Sequence, residues 1–189
     1  MDPDGPSTVA LTIEAPAWRK HLPDPEGLCR RVLAATLDRA PTSPWLARAE
    51  VGVLLADDAT VRRLNAEHRG EDRATDVLSF PTFEQILEEA PGQLPPGPVP
   101  LGDVVLALET VRAEAEAERK PLLDHVSHLL VHGSLHLLGY DHQTGADAAR
   151  MEGLERAILA QLGIADPYAD APERPVIEAA GQPFVETQS

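Results

Sequence analysis

Four short runs of aliphatic and β-branched residues stand out in the first 107 positions: VALTIE (9–14), AEVGVLLA (49–56), DVLSF (76–80) and LGDVVLA (101–107). Each is too short for a packed helix and reads as a strand, the third stopped by Pro81. Between the first two, residues 24–39 carry Leu28, Val32 and Ala35 at helical spacing. Asp57-Asp58 follows the second run and signals a helix start leading into ATVRRLNAEH. Residues 84–100 are too rich in proline for a core element and read as a surface loop. After residue 108 the pattern turns helical. LETVRAEAEAERK is amphipathic and polar. A second helix starts near Pro121, a favoured first-turn residue, and runs through LLDHVSHLLVHGSLHLL. Gly139 stands where a terminating glycine belongs. A last helix covers about 146–162. Residues 169–189 have no periodicity and are expected to be a disordered tail. Strands first and helices mostly later predict one α+β domain over residues 1–168, its helices against a short sheet.

Composition narrows the class. A chain of 189 residues with 43% apolar and 25% charged content is an ordinary globular protein with room for a core. Aromatics are only 4%, so aliphatic side chains carry the packing. No apolar run reaches the ~18–20 residues of a membrane span, and no signal peptide is visible at the N-terminus. The single cysteine, Cys29, lies in the first long helix, reads as a small buried hydrophobe, and fits a reducing cytoplasm. The formal charge of −15 argues against a polyanionic partner, but its distribution is uneven. Residues 1–75 hold 10 of the 16 basic residues against 12 acids, while the remainder holds 6 against 19. A polyanion would therefore meet the first part, where Arg30, Arg31, Arg62, Arg63, Arg69 and Arg73 lie, unless these are scattered surface charges.

The stretch VHGSLHLLGYDH (131–142) carries the chemistry. Residues four apart share a helix face, so His132 and His136 present two imidazoles to one ion. Gly139 ends the helix, and the chain turns back so that His142 supplies a third nitrogen. Three protein ligands with a fourth position left over is the pattern of a catalytic zinc; imidazoles also accept other divalent transition metals. His125 and His128 fall near the same face and read as core or surface histidines, with a second reading as partners that support the ligands. His21 and His68 have no metal role. The spacing resembles the zinc helix of the metzincin proteases, H-E-x-x-H-x-x-G-x-x-H, except that Gly133 occupies the glutamate position. That glutamate is the peptidase's general base. The ion can still be held without it, and its absence argues against a third reading, a peptidase.

HGSLHLLGYDH also resembles the signature of the YbeY family, bacterial single-strand-specific endoribonucleases of rRNA maturation. LNAEHRGEDRATDVLSFP (64–81) resembles a second family block, and LGD (101–103), MEGLE (151–155) and DPY (166–168) fit as well. The similarity covers about residues 8–168. The resemblance implies a short mixed four-stranded sheet packed with about five helices and a zincin-like metal helix. It implies one Zn²⁺ per chain on His132, His136 and His142, and a functional arginine at Arg69. It further implies cleavage of single-stranded RNA at the 3′ end of small-subunit 16S rRNA and a part in ribosome quality control, with no DNA or membrane partner. Three features depart from the family pattern: Glu71 where lysine is common, the long 84–100 connection, and the 169–189 tail.

Arg69 would grip a phosphate through its planar two-point fork. The alternative is a surface ion pair with Glu67, Glu71 or Asp72. Ser79 and Asp76 read as ordering their loop, and Asp141 either as a partner for an imidazole or as a turn former. The attacking oxygen is either a metal-activated water or the RNA's own 2′-OH; the residues allow both. A second functional reading is a non-catalytic assembly factor that uses zinc only to hold itself together while binding rRNA or a basic ribosomal protein.

Overall fold

The computed structural model describes residues 8–39, 44–82 and 96–169. Most of the proline-rich loop and the tail beyond residue 169 lie outside the described residues. Four strands form one sheet: β1 (Thr8–Ile13), β2 (Ala49–Ala56), β3 (Val77–Pro81) and β4 (Val99–Ala107). Their order is β1-β2-β4-β3. The first three in that order run parallel, and β3 pairs antiparallel to β4. Six helices accompany them among the described residues: α1 (Trp18–His21), α2 (Pro25–Arg39), α3 (Asp58–Arg69), α4 (Leu108–Ala117), α5 (Leu122–Leu137) and α6 (Gly145–Gln161). The expected α+β class and mixed four-stranded sheet are both present.

Local chemistry explains most boundaries. Asp57 caps α3, its Oδ1 accepting the Thr60 N–H at 2.8 Å. Thr144 does the same for α6 through the Asp147 N–H at 3.1 Å. Pro81 belongs to β3 because an edge strand tolerates a missing N–H. The fourth strand starts at Val99, inside the proline-rich stretch expected to be loop. Two small elements are absent from the hydrophobic pattern: the single turn α1 and a 3₁₀ turn at Pro44–Arg48. The first exists to seat one side chain. Trp18 is fully buried, and its Nε1–H donates to the Ala56 carbonyl at 2.8 Å.

The sheet has a thick side and a thin side. Val51, Val53, Leu55, Leu101, Val104 and Leu106 join residues of α2, α5 and α6 in the main core. Truncating a fully buried leucine here, such as Leu106, would cost about 2–5 kcal/mol. On the other side Leu78, Val105 and Ala107 pack under Val61 of α3. Two glycines set close approaches that position the site. At Gly133 of α5, a Cβ would lie 2.7 and 3.0 Å from the Val104 methyls and 3.1 Å from Ser79 Oγ. Helix and sheet therefore touch there. Gly102 has φ +133°, and a Cβ would lie 2.1 Å from the Phe80 carbonyl oxygen.

Candidate metal centre

Each ligand candidate owes its place to how α5 ends. The helix stops at Leu137, and Gly139 takes a left-handed φ of +85°. The Tyr140 N–H then returns to the Leu135 carbonyl at 3.0 Å and the Gly139 N–H to the His136 carbonyl at 3.0 Å. This paired closure satisfies the last carbonyls of the helix and reverses the chain. His142 is carried back beside His132 and His136, with one nitrogen from each ring within 4.8 Å of the others. Asp141 serves the turn: its Oδ1 accepts the His142 N–H at 2.6 Å.

The donor set fits a transition metal. His136 Nδ1–H donates to the Tyr140 carbonyl at 2.9 Å, which leaves its Nε2 as a lone-pair donor. Burial, followed by the neighbouring His132, pushes His136 below the ordinary imidazole range, favouring the neutral form a metal needs. The Nε2 atoms of His132 and His136 stand 3.1 Å apart. Two nitrogens bound to one tetrahedral zinc at ~2.0–2.1 Å would be about 3.4 Å apart. His132, His136 and His142 would hold such an ion together.

Arg69 faces the same place. It ends α3 just before Gly70, whose φ of +72° stops the helix. Its Nη2 donates to the Ser79 carbonyl at 3.2 Å. Asp76 and Thr82 bond to β4 through Ala107 and Leu101, so by strand alternation Ser79 turns its carbonyl away from β4. Arg69 therefore sits over the outer edge of β3. An open cavity of about 560 Å³ is lined by Arg69, Ser79, Tyr140 and all three histidines.

The ion-pair alternative for Arg69 fails for a specific reason. Glu67 pairs with Arg63 at 3.5 Å, Glu71 with Arg73 at 2.7 Å, and Asp72 with Arg62 at 2.6 Å. Each nearby acid faces another arginine, and among the described residues no carboxylate pairs with Arg69. Asn65, almost fully buried, ties the loop down by donating Nδ2–H to the Arg73 carbonyl at 2.9 Å. Asp76 plays its expected ordering part, accepting from the Val77 N–H at 2.8 Å.

These features converge with the comparison to known proteins. The family model described as Endoribonuclease YbeY matches residues 19–163. The chain belongs to the YbeY family. Endoribonuclease YbeY of Paramagnetospirillum magneticum is 48% identical over 162 residues, covering 86% of this chain and 96% of that protein. The Bradyrhizobium diazoefficiens protein of the same name is 47% identical, covering 90% and 89%. In structure, TM1509 of Thermotoga maritima, solved in solution, shares the fold with a TM-score of 0.51 at 20% identity, covering 88% of this chain and all of that one.

Behind the histidines the structure adds a polar layer built from the MEGLE and DPY stretches, to which the sequence had given no role. Glu155 of α6 is buried and accepts from His132 Nδ1 at 2.7 Å and His128 Nε2 at 3.1 Å. Tyr168 donates its hydroxyl to the same carboxylate. Burial alone would raise the Glu155 pKa; the bonds from His128, His132 and Tyr168 outweigh it and hold the pKa at about 2. His128, read from sequence as a packing or surface histidine or else as a supporting partner, thus bonds to the same carboxylate as the ligand candidate His132. His125 is buried and points elsewhere, its Nε2 3.1 Å from Glu114 of α4. A readable signal for Glu155 existed. Ala148, Met151, Glu155, Ile158 and Leu159 share the buried face of α6, and a carboxylate on an apolar stripe needs a partner.

Proposed function

We propose that the chain is a metal-dependent endoribonuclease that cuts single-stranded RNA. His132, His136 and His142 hold one divalent transition metal, zinc in this reading, and Arg69 contacts the scissile phosphate. The substrate is the 3′ end of small-subunit rRNA in the cytoplasm, within ribosome maturation and quality control. One observation carries this reading: an arginine with no carboxylate partner among the described residues opens onto the cavity where three imidazole nitrogens converge. Membership of a family named for endoribonuclease activity supports it. No described helix is long and apolar enough to cross a membrane.

When bound, the metal would supply Lewis acidity toward a phosphoryl oxygen and lower the pKa of a water toward ~7. The protein's own groups do the rest. Arg69 offers a planar, permanently charged fork to the phosphate and offsets charge as it builds on the equatorial oxygens. The carbonyl of Tyr140 keeps His136 in the tautomer that leaves Nε2 free. Gly133 supplies no base, which is compatible with attack by the ribose 2′-OH or by an activated water.

The test uses a labelled single strand and the same sequence annealed to its complement, each with and without chelator. Chelator-sensitive cleavage of the single strand is expected. The duplex should be cut far more slowly, because a rigid A-form helix does not easily place a scissile phosphate in a recessed site. Intact RNA under every condition would instead support the non-catalytic assembly factor.

A further inference from the structure

Two N–H groups and one O–H group converge on a carboxylate that solvent barely reaches. Glu155 Oε1 receives His132 Nδ1, and Oε2 receives His128 Nε2 and the Tyr168 hydroxyl. Its side chain is 1% exposed. Burying a carboxylate costs several kcal/mol unless it is bonded and paired, so an apolar residue would suit the α6 stripe better for packing alone. The contact with His132 has a chemical consequence. A carboxylate that is ionised only accepts, so the proton of the neutral His132 ring lies on Nδ1. Nε2 keeps its lone pair, and Nε2 is the atom that faces His136 Nε2 at 3.1 Å.

The chain beyond α6 reinforces this arrangement. The Tyr168 N–H donates to Asp166 Oδ1 at 2.9 Å, Arg156 pairs with Asp166 at 3.3 Å, and Lys120 donates to the Pro167 carbonyl at 3.0 Å. The Arg156 guanidinium covers the Tyr168 ring at 5.1 Å. Exposed contacts of this kind are weak singly, but together they deliver one hydroxyl to one buried oxygen.

We propose that Glu155 is a positioning residue that fixes the tautomer and direction of His132, and that Tyr168 and His128 hold Glu155 in place. The segment running to Tyr168 is then a working part of the site. This rests on reading the three histidines as metal ligands, and the test separates the two ideas. Long-range ¹H–¹⁵N spectra of the metal-free protein at mildly alkaline pH report the His132 tautomer without any metal. The wild type should show Nδ1–H. Glu155→Leu fills the stripe but offers no acceptor and should shift His132 toward Nε2–H. Zinc affinity, measured by chelator competition, should fall about 10–100-fold in that variant. Glu155→Gln keeps one acceptor oxygen and should recover part of the affinity, and Tyr168→Phe should show a smaller loss in the same direction. A His132 still in the Nδ1–H form in Glu155→Leu, or unchanged zinc affinity, overturns the proposal. If Glu155→Leu does not fold, Glu155→Gln decides by zinc affinity alone, and a value equal to the wild type's overturns the proposal. A wild type that binds no metal removes the ligand reading, while the tautomer spectra still decide the role of Glu155.

Discussion

Replacing Arg69 with alanine removes one guanidinium whose two possible roles differ in size and in where they register. Its recorded structural tie is the 3.2 Å bond to the Ser79 carbonyl, made from an exposed position. A bond of that kind contributes about 0.5–1.5 kcal/mol to stability, and exposure places it at the lower end. The melting temperature should therefore drop by only about 1–2 °C. The rate should respond on another scale. Loss of one group that stabilises developing charge typically costs about 10²–10³ in turnover, or ~2.7–4 kcal/mol. Arg69→Ala should thus cleave at least ~100-fold more slowly while folding almost normally and keeping its metal. Arg69→Lys should recover part of the rate, since lysine keeps the charge but loses the two-point grip. Single-turnover cleavage at saturating protein is the assay, because it separates slowed chemistry from weakened binding. A rate close to wild type in Arg69→Ala would refute the phosphate contact and leave the arginine as a clasp on β3.

Four further outcomes follow from particular contacts. His136→Ala should lose most of its metal by elemental analysis, since two remaining imidazoles hold an ion poorly; full content would show the ligand assignment to be wrong. Burial, and then the charge of Glu26, pushes the Cys29 thiol from 9.0 up to about 12. Iodoacetamide should label it at least ~100-fold more slowly in the folded chain than in the unfolded one, with equal rates refuting the burial. Because the unfolded thiol ionises near 9 and the folded one only near 12, Cys29 should also cost stability as pH rises through that window. Gly102→Ala should lower the melting temperature by about 5 °C or more, as its φ of +133° and the Phe80 carbonyl both exclude a side chain. An unchanged melting curve would contradict that geometry.

The parts of this protein that could be read from its sequence are those whose causes are local. The Asp57 cap, the Gly139 reversal and the four-residue spacing of His132 and His136 are each fixed by neighbours a few positions away. The strands could be seen as aliphatic runs, but nothing in those runs says that β4 inserts between β2 and β3. Pairing partners depend on how helices cover the sheet. Trp18 gave no warning of its turn, because its bond to Ala56 spans 38 residues. Glu155 stood in the MEGLE stretch and on an apolar stripe, but its partner could not be read there: it lies 23 residues from His132, on a helix that also carries Glu152 and Asp147. Arg69 could be noticed by its motif, yet its lack of an acidic partner among the described residues could not. That emerged only from seeing Glu67, Glu71 and Asp72 turn to other arginines.

The contact at Gly133 bears on how far this protein stands from a peptidase. Converting glycine to glutamate is one substitution on paper, and it would restore the missing base between two histidines that already stand in place. The Val104 methyls leave no room for even the first carbon of that side chain. To admit it, α5 would have to withdraw from β4, and the histidine on either side would travel with the helix. The spacing between helix and sheet, more than the identity of one residue, separates the two chemistries. Any path between them must widen the packing before it can change the catalyst.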